Sequence, residues 1–205
     1  MMVARLKSLT LSAVRRCLVT ALLPIFVAGG SYASTTFIDF EQFNDSDQIT
    51  NQILGITFTN TVVLTAGFSL NEFDFPPRSG VNVAFDSGGP MSIAFGTPVS
   101  MFAAYFTYLQ PLTLLAFDVS NVQIGKALSL FSNNTGTAGD PGSSPNERLQ
   151  LSFAGGIGSV SITGAPAGGS FVMDDVTLVP EPGTLPVTFV AIGMAGLFLR
   201  RRFTS

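Results

Sequence analysis

The sequence predicts an all-β fold, an antiparallel β-sandwich of jelly-roll-like form, and three observations lead to it. Apolar residues recur with a period of two: Met91, Ile93 and Phe95 alternate with Ser92 and Ala94, and Leu149, Leu151 and Phe153 alternate with Gln150 and Ser152. Val160 and Ile162 do the same among Ser159, Ser161 and Thr163, so each run has one core face. Glycine, proline, asparagine and aspartate separate these runs at short intervals. No helical period is sustained over a dozen residues between 34 and 179.

Taken in order, the chain opens with a segment of another kind. Arg5, Lys7, Arg15 and Arg16 precede an apolar stretch from Cys17 to Ala28, followed by Gly29, Gly30, Ser31, Tyr32 and Ala33. Positive charge holds such a start in the cytoplasm, and small residues at Ser31 and Ala33 suit a signal peptidase pocket. Residues 1–33 therefore read as a signal peptide helix cut between Ala33 and Ser34, and the domain begins at residue 34. Cys17 falls inside the removed segment, so no disulfide holds the domain.

Strands are expected near 35–40, 54–59, 61–66, 81–86, 91–95, 99–107, 112–118, 122–131, 148–153, 158–163 and 170–178, a spacing that suits a sandwich. Residues 132–147 are rich in Asn, Gly, Ser, Thr, Asp and Pro and read as a long exposed loop between two strands. Nineteen phenylalanines help supply the core that a domain without disulfides needs.

After Val179 the chain reads Pro180, Glu181, Pro182, Gly183 and Thr184, then an apolar run over 185–199, then Arg200, Arg201 and Arg202. Fifteen apolar residues at about 1.5 Å each reach about 22 Å, a short span for a hydrocarbon core near 30 Å. The arginine triplet crosses only at high cost, so it stops the tail on the cytoplasmic side and leaves the domain outside. The two prolines keep 179–182 extended, as a protease groove requires. A Pro-Glu-Pro tripeptide, a short apolar helix with small residues and a terminal arginine cluster, in this order, resemble the PEP-CTERM sorting signal. The resemblance implies recognition at residues 180–205 by an integral-membrane exosortase, a cysteine protease or transpeptidase, with cleavage near the motif in a Gram-negative cell that makes exopolysaccharide. It further implies an exported protein, anchored in the inner membrane as a precursor and later found at the cell surface or in the extracellular matrix.

Removing both ends changes the chemistry that remains. Residues 34–179 hold twelve acids against three bases, Arg78, Lys126 and Arg148, a formal charge of −9. Such a surface repels phosphates, so nucleic acid is excluded as a partner, and it favours cations or neutral sugars. The chain has no histidine and no tryptophan, and its one cysteine lies in the signal peptide. The usual general base, nucleophile and zinc ligands are thereby missing, and the expectation is that no residue is catalytic. Glu72 and Asp74 are the one carboxylate pair that a glycosidase reading could nominate.

Two acidic spots flank the domain: Asp39 and Glu41 near the first strand, Asp174 and Asp175 in the last. Carboxylates inside an apolar strand repel one another and lose solvation, and a bound calcium would relieve both costs. The alternative is that one carboxylate faces solvent while the other accepts backbone hydrogen bonds. A phenylalanine-rich first strand with an acid and a closing Asp-Asp-Val strand resemble jelly-roll carbohydrate-binding modules with a structural calcium. That resemblance implies polysaccharide as a partner and Asp39, Glu41, Asp174 and Asp175 as calcium ligands. The expected function is a non-enzymatic, exosortase-sorted surface protein that binds polysaccharide, with a purely structural or adhesive role as the alternative.

Overall fold

A computed structural model describes residues 34–181. The signal peptide with Ala33, Pro182, the apolar run 185–199 and the arginine triplet lie outside the described residues. Every regular element among those described is a strand, and every pairing between strands is antiparallel. There are nine: β1 (Thr36–Ile38), β2 (Ile56–Thr59), β3 (Thr61–Thr65), β4 (Asn82–Asp86), β5 (Met91–Tyr108), β6 (Thr113–Phe117), β7 (Gln123–Leu128), β8 (Glu147–Thr163) and β9 (Phe171–Pro180).

Eleven expected strands become nine because two apparent breaks are bulges. Gly96, Thr97 and Pro98 punctuate the sequence, yet β5 runs through them, and β8 likewise runs through Gly155 and Gly156. Between the pairs Ala94↔Ser159 and Val99↔Ile157, β5 carries the extra residues; between Val99↔Ile157 and Met101↔Ser152, β8 carries them. Opposed bulges of this kind bend both strands sharply and give a proline a place in a ladder.

The bend divides one nine-stranded sheet into two facing halves. One half contains β2, the first part of β5, the last part of β8, then β6 and β7; the other contains β1, β3, β4, β9, the last part of β5 and the first part of β8. Phe58, Met91, Ile93, Leu114 and Val160 from the first half meet Val63, Phe102, Phe106, Phe171 and Met173 from the second in one buried core. Phe106 and Phe171 pack with ring centroids 6.1 Å apart, and Phe40 meets Phe58 edge to face. This is a β-sandwich.

β9 sits at the centre of the second half and is covered on both faces. β1 and β4 share one of its edges and β5 takes the other. Phe171 and Met173 face the main core, whereas Val172 joins Leu70 and Val83 in a small outer cluster with Leu64, Phe75 and Phe85 packed against it. Further along, Val176 and Leu178 face the main core, so the alternation slips by one residue. Asp175 makes the slip: its φ is +49°, and Ala103 to Tyr105 on β5 pair with Thr177 to Asp174 on β9. An extra residue in the left-handed region is a bulge, and it keeps Asp175 off the core face, while Asp174 lies on the outer face with Val172.

Candidate functional site

The outer face of β9 is covered by residues 66–81, which we call the strap. Ala66 N–H donates to Val81 O (2.8 Å) where the strap leaves β3 and rejoins the sheet. Leu70 and Phe75 are its apolar anchors. Its polar anchor is Asp174, only 1% exposed. The Oδ2 of Asp174 accepts from Arg78 N–H (2.8 Å) and Ser79 N–H (3.0 Å), and Oδ1 accepts from Asp175 N–H (2.7 Å). Ser79 Oγ donates to Asp175 Oδ1 (2.6 Å). The Arg78 side chain lies over the Tyr105 ring, 4.8 Å from its centroid, a cation–π contact that seats the strap on β5.

Glu41 completes the far end of the strap, its Oε1 accepting from Val81 N–H (2.9 Å) and Asn82 N–H (2.8 Å). Asp39 Oδ1 accepts from Glu41 N–H (3.2 Å) and so shapes the turn after β1. β1 and β9 do pair, Thr36 with Leu178 and Ile38 with Val176, and Glu41, Asp174 and Asp175 converge on residues 78–82. Yet among the described residues no three His, Cys, Asp or Glu side chains gather as a metal cluster.

The oxygens of Asp174 already hold three N–H groups, whose positive ends point at the carboxyl and offset part of its charge without a cation. Chelation by EDTA is expected to leave the melting temperature of the protein unchanged. A drop beyond about 3 °C, the scale of ~1 kcal/mol in a domain of this size, would install a structural cation instead.

Burial pushes the Asp174 carboxyl up to about 7 and the Asp175 charge adds to it, against the pull of the three N–H groups. Asp86, fully buried at the end of β4, is raised for the same reason. It accepts from Ser170 N–H and Phe171 N–H, both at 2.9 Å, and fixes the entry to β9.

At that same end stands the loop expected over 132–147. Asn134 is fully buried; its Oδ1 accepts from Tyr108 N–H (2.7 Å) and its Nδ2 donates to Phe106 O (2.9 Å) and Ser144 O (3.1 Å). Tyr108 Oη donates to Glu147, and burial with this bond pushes the phenol up to about 12. The strap touches this loop: Gly136 N–H donates to Asp74 O (2.9 Å), Thr137 Oγ1 donates to Asp74 Oδ1, and Asn146 Nδ2 donates to Pro76 O (3.1 Å). A Cβ at Gly136 would collide with Phe73 O, so only glycine allows the approach.

Asp86 and Asn134 are absent from the expectations drawn from sequence. Asp86 ends an apolar alternation where a turn acid is ordinary, and Asn134 stands in a run of turn formers that hides a buried amide. Asp74 Oδ2 accepts from Asn71 Nδ2 (2.7 Å), and Glu72 Oε2 accepts from Gly67 N–H (3.4 Å), so both acids of the glycosidase pair hold turns of the strap. Phe68 and Phe73 project from it, 82% and 76% exposed.

The other pole of the sheet carries both chain ends. Thr36 pairs with Leu178, so the chain enters and leaves side by side, and a cavity of about 320 Å³ opens there against Thr36 and Pro180. Here the sorting signal begins: residues 178–202 match the PEP-CTERM protein-sorting motif. The chain is an exported protein whose precursor is anchored at its C-terminus, and the motif implies processing by an exosortase.

No curated protein matches the chain. Among solved structures, the K2 cleaved adhesin domain of Lys-gingipain is 9% identical over 71% of this chain and 99% of that one, with a TM-score of 0.46. A DUF4465 family protein from Bacteroides caccae is 11% identical over 72% of this chain and 100% of that one, at 0.44. A family 29 carbohydrate-binding module is 10% identical over 73% of this chain and 94% of that one, at 0.38. These likenesses are loose, and no function passes from them to this chain.

Proposed function

We propose that this is a non-enzymatic cell-surface or matrix protein that binds a neutral polysaccharide through the strap. Residues 34–179 form its jelly-roll-like binding domain; the flanking segments 1–33 and 180–205 serve export, membrane anchoring and release. The observation that carries the reading is the pair of exposed rings, Phe68 and Phe73, on a strap fixed to the sheet by Asp174 and to the neighbouring loop by Asp74. Aromatic faces held on a rigid support stack against the apolar faces of sugar rings, while Asn71 and Glu72 between them offer hydrogen-bonding groups to hydroxyls. The formal charge of −9 selects against acidic polymers.

Placement supports the same reading. β9 has ten residues, about 33 Å at 3.3 Å each. That length separates the pole with the chain ends from the pole with the 132–147 loop, so a precursor anchored by its C-terminus presents the loop outward. Binding to neutral glucans and mannans, measured by affinity electrophoresis, is expected to fall at least about tenfold in Phe68→Ala and Phe73→Ala, the effect of ~1.4 kcal/mol. Undiminished binding in both variants, or no retardation of the wild-type protein by any neutral polymer, would favour the structural or adhesive role.

A further inference from the structure

The sorting motif is not a free tail at its start. Its first three residues, Leu178, Val179 and Pro180, are the last three of β9, paired with Phe102, Met101 and Val99 of β5. Leu178 is buried in the main core. Ser100 Oγ lies 3.1 Å from both Val179 O and Pro180 O, and its single O–H is shared between them. Glu181 folds back over Gly156, where an added Cβ would overlap its Oε1 and come within 2.8 Å of Pro98 Cβ. Ser100 and Gly156 both flank the bulged bend of β5 and β8, so the feature that folds the sheet also holds the beginning of the signal.

We infer that the folded domain shields the peptide bonds up to Glu181 and confines exosortase cleavage to its C-terminal side. The inference rests on the exosortase reading of the tail. In acyl transfer the attacking group bonds to the carbonyl carbon, the C–N bond breaks, the departing amine takes a proton, and water or another nucleophile receives the acyl group. The scissile carbonyl must leave its own partners and enter the donors of the processing enzyme, with flanking residues extended in the enzyme's groove. The carbonyls of Val179 and Pro180 are held by Ser100 within a strand paired to β5, so their peptide bonds reach a groove only if β9 peels away and exposes Leu178. Glu181 O is the first carbonyl beyond the sheet. Ser100 is thus a positioning residue: it touches no reacting atom and sets which bond is offered.

The test is peptide mass spectrometry of the mature C-terminus from the native host, for the full chain and for Ser100→Ala and Ser100→Thr. The wild type is expected to end at Glu181 or later. Ser100→Ala should yield several-fold more product ending at Val179 or Pro180, and Ser100→Thr, which keeps the hydroxyl, should match the wild type. Wild-type product ending at Val179 or Pro180 overturns the shielding while leaving exosortase processing intact. An intact Ser205 removes the processing reading and the inference with it. An unaltered product distribution in Ser100→Ala overturns the role of Ser100.

Discussion

Asp174→Ala is expected to lower the unfolding free energy by about 3 kcal/mol, read as a reduced urea midpoint with an unchanged slope. Three backbone N–H groups, those of Arg78, Ser79 and Asp175, lose their acceptor at once. Each buried donor left without a partner costs about 1–3 kcal/mol. The sum is capped, because the strap can lift and let water reach the donors. Lifting then uncovers Leu70, Val83 and Val172, whose small cluster exists only with the strap in place. The expected loss is therefore close to the free energy that holds the strap, and the Arg78 contact with Tyr105 should vanish with it. A loss below about 0.5 kcal/mol, the level of an ordinary surface substitution, would mean that the strap does not depend on Asp174.

The same aspartate shows why some of this molecule is legible in the sequence and some is not. Alternation of apolar and polar residues survives wherever a strand has one buried face, so β2, β3, β6 and β8 are visible directly. β9 is buried on both sides over 171–176, and its Asp174 and Asp175 look like charges stranded in a core. A bulge solves the conflict by keeping Asp175 off the core face while Asp174 stays on the outer face beside Val172, and the φ of +49° on which it turns is set by the ladder and not by the apolar run around it. The convergence of Glu41 and Asp174 on residues 78–82 is long-range and equally silent. Their acidity is legible, and a cation is the plain inference from charge alone. Backbone N–H groups can neutralise a carboxylate as well, and they are invisible in a sequence because every residue but proline has one. Gly96 to Pro98 mislead in the opposite way: strong local turn formers are overruled by a ladder that continues on either side.

Stability should fall as pH rises from about 4 to about 7, and Asp174 sets the slope. Its carboxyl has an ordinary value of 3.8 in the unfolded chain and about 7 in the fold. Between these values the folded protein keeps a proton that the unfolded chain has released, so each pH unit removes up to about 1.4 kcal/mol. The contribution is fully present below pH 3.8 and is lost as pH climbs through 7, about 4 kcal/mol in all at full burial. Asp86, also raised by burial, adds a loss of the same sign. Asp45, exposed and lowered by its bond from Ser69, acts oppositely and only in the acid range below its ordinary 3.8. Asp174→Asn separates these terms. The amide oxygen can keep Arg78 and Ser79, but its NH₂ then faces the Asp175 N–H, so the variant should be about 1–2 kcal/mol less stable than the wild type at pH 5. At pH 8 the wild type buries a carboxylate and the variant a neutral amide, and the order should reverse. Urea midpoints measured at both pH values check this directly. Parallel curves with no crossing would show that Asp174 stays ionised in the fold, held by its three N–H groups alone.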